Sequence, residues 1–258
     1  MHTFVVLAYK ESKYLEECIK SVCNQKYKSK VVIATTTDNK YIRDMAAKYK
    51  LDVIVGKHTN IGGDFDFAKN TGKTQLVTIA HQDDIYDSDY SKNIVEYYKK
   101  YKDSIIIFPD YYEVRNDKKV YHNINLFIKR FLLFPLRFKL LNKTKFFKRR
   151  ALKFGNSICC PSVTFVMDNC QKNVFESEYL CNIDWIAWER LSRKKGRFCY
   201  INRKLMGHRI SRESTTTDII NQGIRTKEDY QMFRKFWPRI IAKLLTNLYK
   251  NSEKSNNL

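Results

Sequence analysis

Short apolar runs alternate with amphipathic helical patterns through the first hundred residues, and this alternation constrains the fold more than any other feature. Four runs have the length of buried strands, at residues 3–8, 31–36, 52–55 and 76–80. Between the first two, apolar side chains recur at helical spacing, at Leu15, Cys18, Ile19, Val22 and Cys23. Strands separated by helices of this length form parallel βαβ units, so we expect an α/β fold with a mostly parallel sheet.

Ligands of parallel sheets bind at the carboxyl ends of the strands, which here are followed by residues 9–11, 35–38 and 81–84. The last of these segments reads His-Gln-Asp-Asp. Two carboxylates at a strand end supply the hard oxygen ligands that Mg²⁺ or Mn²⁺ needs when it bridges to a diphosphate. Asp is also common in turns and helix caps, and this second interpretation of the acidic cluster stays open.

A further candidate is Asp184, which stands at the start of a helical pattern predicted to run over residues 184–195. A carboxylate there either caps the helix or acts as a base directed into a pocket. Trp185 and Trp188 would make that pocket partly apolar and so raise the pKa of Asp184. Because Asp is a preferred helix cap, the sequence alone favours capping, although the two roles are compatible.

The segment at residues 207–217 combines His208, Arg209 and several hydroxyl side chains. Such a segment suits an anionic leaving group, because an arginine can bind phosphate oxygens with two donors at once. The alternative is an ordinary solvated loop, and the segment taken alone does not decide between them.

Cations and aromatic side chains are concentrated between residues 124 and 160, where ten Lys and Arg occur without a single Asp or Glu. A helix that lies on an anionic membrane needs both residue types. The alternative is a lid over an acceptor site. The net charge of the whole chain, +21, likewise indicates an acidic partner, which is nucleic acid, anionic lipid or a phosphorylated substrate. The segment at residues 225–250 is amphipathic, and Pro238 should kink or restart its helix.

Several classes of protein fit the sequence poorly. The seven cysteines lack CxxC spacing, so neither a disulfide framework nor a zinc site is indicated. Zinc-finger spacing and RNP-type aromatic motifs are missing, so we expect no nucleic-acid partner. A nucleotidyltransferase would need a glycine-rich phosphate loop after the first strand, and the sequence has no glycine there. A membrane scaffold without catalysis would not need the carboxylates at 83 and 184. No secretory signal or run of about 20 apolar residues is seen.

Taken in chain order, these segments resemble the inverting glycosyltransferases of family 2, of the surface-polysaccharide type. Residues 4–25 are similar to the family's first strand, turn and helix. Residues 81–84 fall on its Asp-x-Asp-Asp motif, Ile183-Asp184 on its Glu-Asp pair, and His208-Arg209 on its late loop. The resemblance covers residues 3–216. It implies a GT-A fold, with a Rossmann-like, mostly parallel sheet flanked by helices, a basic amphipathic insertion and a helical C-terminal tail.

The resemblance also implies roles for the candidate residues. Asp83 would bind the metal, Mn²⁺ or Mg²⁺. Asp184 would be the catalytic base, and His208 and Arg209 would steady the leaving diphosphate. The remaining candidates would bind the nucleotide diphosphate sugar, and with Asp83 they are Ala8, Tyr9, Glu11, Asp38, Asp66, His81 and Gln82.

Five positions depart from the family pattern. Leu7 and Lys10 replace the usual Pro and Asn. Thr35 and Thr36 stand where the family has an Asp pair, one of which contacts the uracil, so the identity of the donor base is open. His81 replaces the first Asp of the metal motif, and since His suits Mg²⁺ poorly, we expect it near the sugar or the phosphates.

We therefore predict four regions. Residues 1–122 bind the nucleotide sugar, 123–154 form the basic amphipathic arm, 155–217 form the acceptor-binding half and 218–258 the helical tail. The expected acceptor is a glycan, carried on a lipid, in cell-surface polysaccharide synthesis. The expected location is cytoplasmic, peripheral at the inner face of the cell membrane and in contact with its anionic surface.

Overall fold

The computed structural model describes residues 1–210 and 223–254, with side chains described up to residue 250. This part of the chain has nine strands. They are β1 (His2–Ala8), β2 (Lys30–Thr35), β3 (Asp52–Val55), β4 (Leu76–His81), β5 (Ile85–Tyr86), β6 (Ser104–Arg115), β7 (Lys118–Val120), β8 (Thr164–Val166) and β9 (Arg197–Ile210). Its α-helices are α1 (Leu15–Cys23), α2 (Lys40–Tyr49), α3 (Ile61–Thr71), α4 (Tyr90–Lys100), α5 (Ile124–Leu133), α6 (Lys145–Arg150), α7 (Ile183–Ser192), α8 (Ile224–Arg234) and α9 (Arg239–Lys254).

The strands form one mixed sheet in the order β3-β2-β1-β4-β8-β6-β9-β5, with β7 paired to β6. The first four strands of this order are parallel, because β1 pairs in parallel with both β2 and β4, and β2 pairs in parallel with β3. β8 runs antiparallel to β4 and β6, and so joins the parallel half to the parallel pair of β6 and β9. This is the α/β architecture that the sequence predicts.

Each face of the sheet is covered by helices, because side chains alternate along the strands. Phe4 and Val6 pack on the face that carries α1, α2 and α4, while Val5 packs on the face that carries α3 and α7 to α9. The central strands are buried on both faces, as parallel strands in α/β proteins are. The expected break in the C-terminal helical segment is confirmed, since α8 ends at Arg234 and α9 begins directly after Pro238.

Two long elements were not predicted. α3 lacks a clear apolar period, because its buried side chains include Asp64, Asp66 and Lys69. β9, with 14 residues, carries six charged or strongly polar residues that obscure its strand pattern. The N-cap position of α1 is occupied by Tyr14, which makes no side-chain hydrogen bond there.

No helix in the described residues is long and apolar enough to cross a bilayer. The four-region division at residues 122, 154 and 217 stays a prediction. Strands from both the first and the third region belong to the single sheet.

Candidate active site

The carboxyl ends of β1, β2 and β4 lie side by side and bring three predicted segments to one edge. The backbone N–H of Tyr9 donates to Oε1 of Gln82 at 3.0 Å, and Nε2 of Gln82 donates to the carbonyl of Tyr9 at 3.0 Å. Lys10, in a left-handed conformation with φ of 53°, donates its N–H to the hydroxyl of Thr37 at 2.6 Å. The turns after β1, β2 and β4 are thus fastened to one another, and Ala8, at the end of β1, is buried beneath them.

The two carboxylates that follow β4 differ in burial, because Asp84 is buried and Asp83 is only partly buried. Asp84 is fully buried, and its Oδ1 accepts from the backbone N–H of Arg209 at 2.9 Å and from Nδ1 of His208 at 3.1 Å. Burial raises the pKa of Asp83 to about 6, and the charge of Asp84 adds to this effect. Asp84 therefore positions β9 against the turn, while Asp83 is the side chain available to a ligand. The turn interpretation fits Asp87, whose Oδ1 accepts from the N–H of Asp89 at 2.9 Å.

The residues around Asp83 fit a divalent cation that takes most of its ligands from elsewhere. Among the described residues, no three His, Cys, Asp or Glu side chains form a ready-made metal cage. His208 and Asp83 are close enough for each to change the pKa of the other, and Oδ2 of Asp84 is buried without a hydrogen-bond partner. A cation would relieve the repulsion between the two carboxylates. Mg²⁺ and Mn²⁺ commonly bind one or two protein groups, with substrate phosphates and water completing the shell.

His81 is held as a neutral side chain at the end of β4. Its ring stacks on Phe65 of α3, with centroids 5.2 Å apart and an interplanar angle of 12°. Burial lowers the pKa of His81 to about 4, so it carries no charge at neutral pH. Its Nε2 is buried without a partner. A neutral imidazole offers a hydrogen bond rather than a counter-charge, which suits a sugar hydroxyl better than a phosphate.

Asp184 is the second residue of α7 and does not cap it, because Asn182 occupies the cap position. Its two oxygens accept from the backbone N–H of Trp185 at 2.8 Å and from Nδ2 of Asn156 at 2.6 Å. Burial raises the pKa of Asp184, against the opposing effect of these two bonds. The capping interpretation of Asp184 is therefore not supported, and a raised pKa in this position suits a general base.

The two tryptophans of α7 do not line a pocket, which corrects the expectation from sequence. Both are fully buried in the core. Trp185 packs edge-on against Phe233 at 5.2 Å, and Trp188 packs against Phe165 and Phe175 at 6.0 and 5.9 Å. The burial that acts on Asp184 comes from the surrounding fold, not from exposed indole rings.

Arg209 is already engaged in the structure. Its guanidinium donates to Asp117 at 2.6 Å, to Glu17 and to the backbone carbonyl of Asp83 at 3.0 Å, and it lies 4.0 Å from the ring centre of Tyr14. Arg209 thereby connects the turn between β6 and β7, and the helix α1, to the turn that follows β4. Contact with a diphosphate would require an exchange of these partners, and that role stays a prediction. The rest of the late segment, residues 211–217, lies outside the described residues.

The expected nucleoside contacts are distributed unevenly. Asp38 is exposed, and a two-point ion pair with Arg43, both distances 2.7 Å, lowers its pKa. Glu11 is exposed beside Tyr9. Asp66 is corrected to a structural role, because its carboxylate accepts the backbone N–H groups of residues 174, 175 and 176 at 2.7 to 3.0 Å.

Asp64 lies two residues before Asp66, about half a turn of α3 away, and was not among the assigned site residues. Its Oδ2 accepts from the hydroxyl of Thr36 at 3.0 Å and from Nδ1 of His58 at 2.9 Å. Thr36 is one of the two threonines that stand in place of an Asp pair, so a carboxylate does reach this position, from α3 and not from β2. The Gly62-Gly63-Asp64 sequence was the available signal.

We expect Asp66→Ala to lower the free energy of unfolding by about 3 kcal/mol, because it leaves three N–H groups without an acceptor. Chemical denaturation would measure this. Asp38→Ala is the matched control, since it removes only an exposed ion pair and should change stability little. Equal effects of the two substitutions would contradict the structural role of Asp66.

Lys129 is a second residue that the sequence did not single out. Its Nζ donates to the hydroxyl of Tyr111 on β6 at 2.9 Å, and the Tyr111 ring meets His208 edge-on at 6.1 Å. The positive charge of Lys129 acts on both His208 and Asp184, and it opposes the net rise in the pKa of each. One cation of the basic arm therefore lies near both His208 and Asp184.

Many solved structures have the same fold, and two of them are complexes with nucleotide sugars. S. aureus TarS 1-349 in complex with UDP-GlcNAc superposes with a TM-score of 0.63 at 14% identity, over 98% of this chain and 72% of that one. The mannosyltransferase PcManGT from Pyrobaculum calidifontis, in complex with GDP-Man and Mn²⁺, gives a TM-score of 0.58 at 13% identity, over 95% and 69% of the two chains. At these identities the likeness shows the fold alone.

A search among curated proteins found no significant match by sequence. Residues 3–169, however, match the family described as Glycosyl transferase family 2. This match covers more than half of the chain and includes the acidic pair after β4. The chain therefore belongs to glycosyl transferase family 2.

Proposed function

We propose that the protein transfers a sugar from a nucleotide diphosphate sugar to a hydroxyl group of a glycan, with inversion at the anomeric carbon. The observation that carries the proposal is the acidic pair after β4, with Asp83 beside His208, in a chain that belongs to glycosyl transferase family 2. Burial raises the pKa of the Cys159 thiol, and the charges of Asp84, Lys129 and Asp184 also act on it, which supports a common site for the acidic pair and Asp184. The nucleotide-sugar complexes of TarS and PcManGT support a donor of this class.

The reaction needs an acceptor oxygen to attack the anomeric carbon while the bond from that carbon to the diphosphate oxygen breaks. Asp184 would take the proton of the acceptor hydroxyl, and its raised pKa makes it a better base than an ordinary Asp. Asp83 would hold Mn²⁺ or Mg²⁺, which would neutralise charge on the leaving nucleoside diphosphate, and His208 would steady that diphosphate. Attack in a single displacement from the face opposite the leaving group inverts the centre.

The proposed donor site uses the fastened turns at the strand ends. Tyr9, Glu11, Asp38 and Gln82 would surround the nucleoside, with Ala8 beneath them. Asp64, through the hydroxyl of Thr36, supplies the carboxylate that β2 lacks. His81 would face the sugar, and Lys129 would add positive charge where the leaving diphosphate separates. Arg209 would join it after exchanging its present carboxylate partners.

The proposed acceptor is a glycan carried on a lipid, in the synthesis of a cell-surface polysaccharide. The basic arm at residues 123–154 supports this, because an excess of cations favours contact with an anionic leaflet. The protein would then be peripheral, at the inner face of the cell membrane. In this proposal residues 1–122 bind the donor and residues 155–217 bind the acceptor.

Thermal-shift measurements with UDP, GDP, dTDP and CMP, each with Mn²⁺, test the donor class. At a hundred times its Kd, one nucleoside diphosphate should stabilise the protein by about 2.7 kcal/mol, which is a rise in Tm of about 5–10 °C. Reaction with the matching nucleotide sugar should release nucleoside diphosphate. Release of pyrophosphate would instead identify a nucleotidyltransferase, and the lack of any nucleotide-dependent shift would contradict the proposal.

A further inference from the structure

The helix α5, which begins the basic arm, turns its charged side chains toward the protein and an apolar face toward the outside, unlike an ordinary surface helix. Its two cations face the protein, where Lys129 donates to Tyr111 at 2.9 Å and Arg130 forms an ion pair with Asp110 at 2.8 Å. Four of its seven large apolar side chains face outward and are 46–79% exposed, at Ile124, Phe127, Ile128 and Phe131. A solvated helix would have the opposite arrangement.

The exposed apolar side chains of α5 form a continuous face. They are spaced i, i+3, i+4 and i+7, and at about 100° per residue they fall within roughly a quarter to a third of the helix circumference. Of the buried side chains of α5, Leu126 and Leu133 lie on the opposite side, and Leu132 lies at the edge between the two faces. The outward face of α5 is therefore not a core face left open by chance, because the helix already has a separate core face.

The helix α9 also presents an apolar face to the outside. Ala242 and Thr246 are buried against the protein, while Ile240, Ile241, Leu244 and Leu248 are 39–86% exposed along one side. The burial of Ala242 and of Thr246 fixes which side of α9 faces inward. The side chains of Lys129 on α5 and Tyr249 on α9 are close enough to interact electrostatically.

Exposed cations, unaccompanied by acidic residues, border these apolar faces. Four of them follow α5 directly, at Arg137, Lys139, Lys143 and Lys145, and all four are exposed. Residues 124–160 and 235–250 contain no Asp or Glu. Apolar side chains flanked by cations match the acyl boundary and the headgroups of an anionic bilayer. A second copy of this chain matches poorly, because its charge of +21 would repel an identical cationic surface.

We propose that the outward faces of α5 and α9 insert into the interface of an anionic lipid bilayer, with the cations at residues 137–145 contacting the headgroups. The inference rests on the membrane location in the proposed function and names the elements that reach the lipid. Because Lys129 on the inner side of α5 acts on Asp184, the inserted helix would lie beside the catalytic base. An acceptor hydroxyl carried on a lipid would then reach Asp184 without leaving the membrane surface.

Co-sedimentation with vesicles tests this without donor or acceptor, so its failure leaves the transfer reaction untouched. The full chain is mixed with phosphatidylcholine vesicles, and with vesicles that also contain phosphatidylglycerol. We expect binding to the anionic vesicles that high salt weakens but does not abolish. The variant Phe127→Ser/Phe131→Ser should bind at least tenfold more weakly, since each exposed phenyl ring contributes substantially on burial.

Two further variants separate the contributions. Changing Arg137, Lys139, Lys143 and Lys145 to Gln should remove the preference for anionic vesicles. Ile54→Ser is the matched control, because Ile54 is also an exposed apolar side chain but lies on β3 at the edge of the sheet. The Ile54→Ser variant should bind vesicles as strongly as the parent protein does. Circular dichroism and Tm confirm that each variant is folded.

Three outcomes would overturn the proposal. One is vesicle binding by Phe127→Ser/Phe131→Ser equal to that of the parent chain. A second is a dimer, seen by analytical ultracentrifugation, that the double substitution disrupts while vesicles bind neither protein. A third is a quadruple Gln variant that binds anionic vesicles as the parent chain does but has lost turnover on a soluble acceptor, which would make the basic arm a lid over the acceptor site.

Discussion

Replacing Asp184 with Asn should lower turnover by a factor on the order of 10²–10⁴, the usual contribution of a general base. The substitution keeps the size of the side chain and removes its ability to accept the proton. Affinity for the donor should barely change, because the bonds of Asp184 run to Asn156 and to its own helix, not to the strand ends that would bind the nucleotide. Near-normal turnover of Asp184→Asn would exclude the assigned role.

The pH profile gives an independent readout of the same group. The base must be deprotonated to act, and burial raises the pKa of Asp184, so turnover should begin to fall at a higher pH than an exposed Asp would dictate. Asn156→Ala removes a hydrogen bond that favours the charged form, and this should move the acidic limb to still higher pH. A merely structural role of Asn156 would change the rate without moving the limb.

The sequence predicted the strand ends well because each strand is a local apolar run followed at once by polar side chains. Residues 81–84 and 9–11 were therefore placed on the correct edge, and the parallel order of β1, β2 and β4 brought them together. The same local reasoning identified Asp184, since a carboxylate at the start of an apolar helix is visible without tertiary information.

α3 escaped prediction because its stability depends on distant partners. Asp66 is buried only because residues 174–176 supply three N–H groups, and the ammonium of Lys69 donates to the carbonyl of Gln171 at 3.3 Å. A pattern search treats both side chains as solvent-facing. The assignment of Asp66 to the donor, and the omission of Asp64, follow from that single limitation.

The basic arm shows a related limit. Amphipathicity indicates that a helix has two faces but not which of them turns inward. In α5 the choice is made by β6, which offers the hydroxyl of Tyr111 and the carboxylate of Asp110 to the cations Lys129 and Arg130. Arg209 is similar, because only the fold reveals that Glu17 and Asp117 converge on its guanidinium.

Replacing Asp83 with Ala should abolish the metal-dependent part of donor binding and leave the fold intact. The backbone carbonyl of Asp83, which accepts from Nε of Arg209 at 3.0 Å, survives the substitution. Loss of this carboxylate also removes its repulsion with Asp84, so stability should not fall. Since changes even in outer groups around a metal cost about 10–100-fold in affinity, loss of Asp83 should weaken Mn²⁺-dependent nucleotide-sugar binding by at least that factor.

Titration calorimetry with the donor, in the presence of Mn²⁺ and then of a chelator, measures this effect directly. The parent protein should lose affinity when Mn²⁺ is removed, whereas Asp83→Ala should bind equally weakly in both conditions. Asp84→Ala is the informative comparison, because it deletes a fully buried acceptor of two hydrogen bonds and should therefore lower Tm as well as affinity. If Asp83→Ala keeps the affinity of the parent protein in Mn²⁺, then Asp83 does not hold the metal. The unpartnered Oδ2 of Asp84 would then be the oxygen to test next, since it is the remaining carboxylate beside His208.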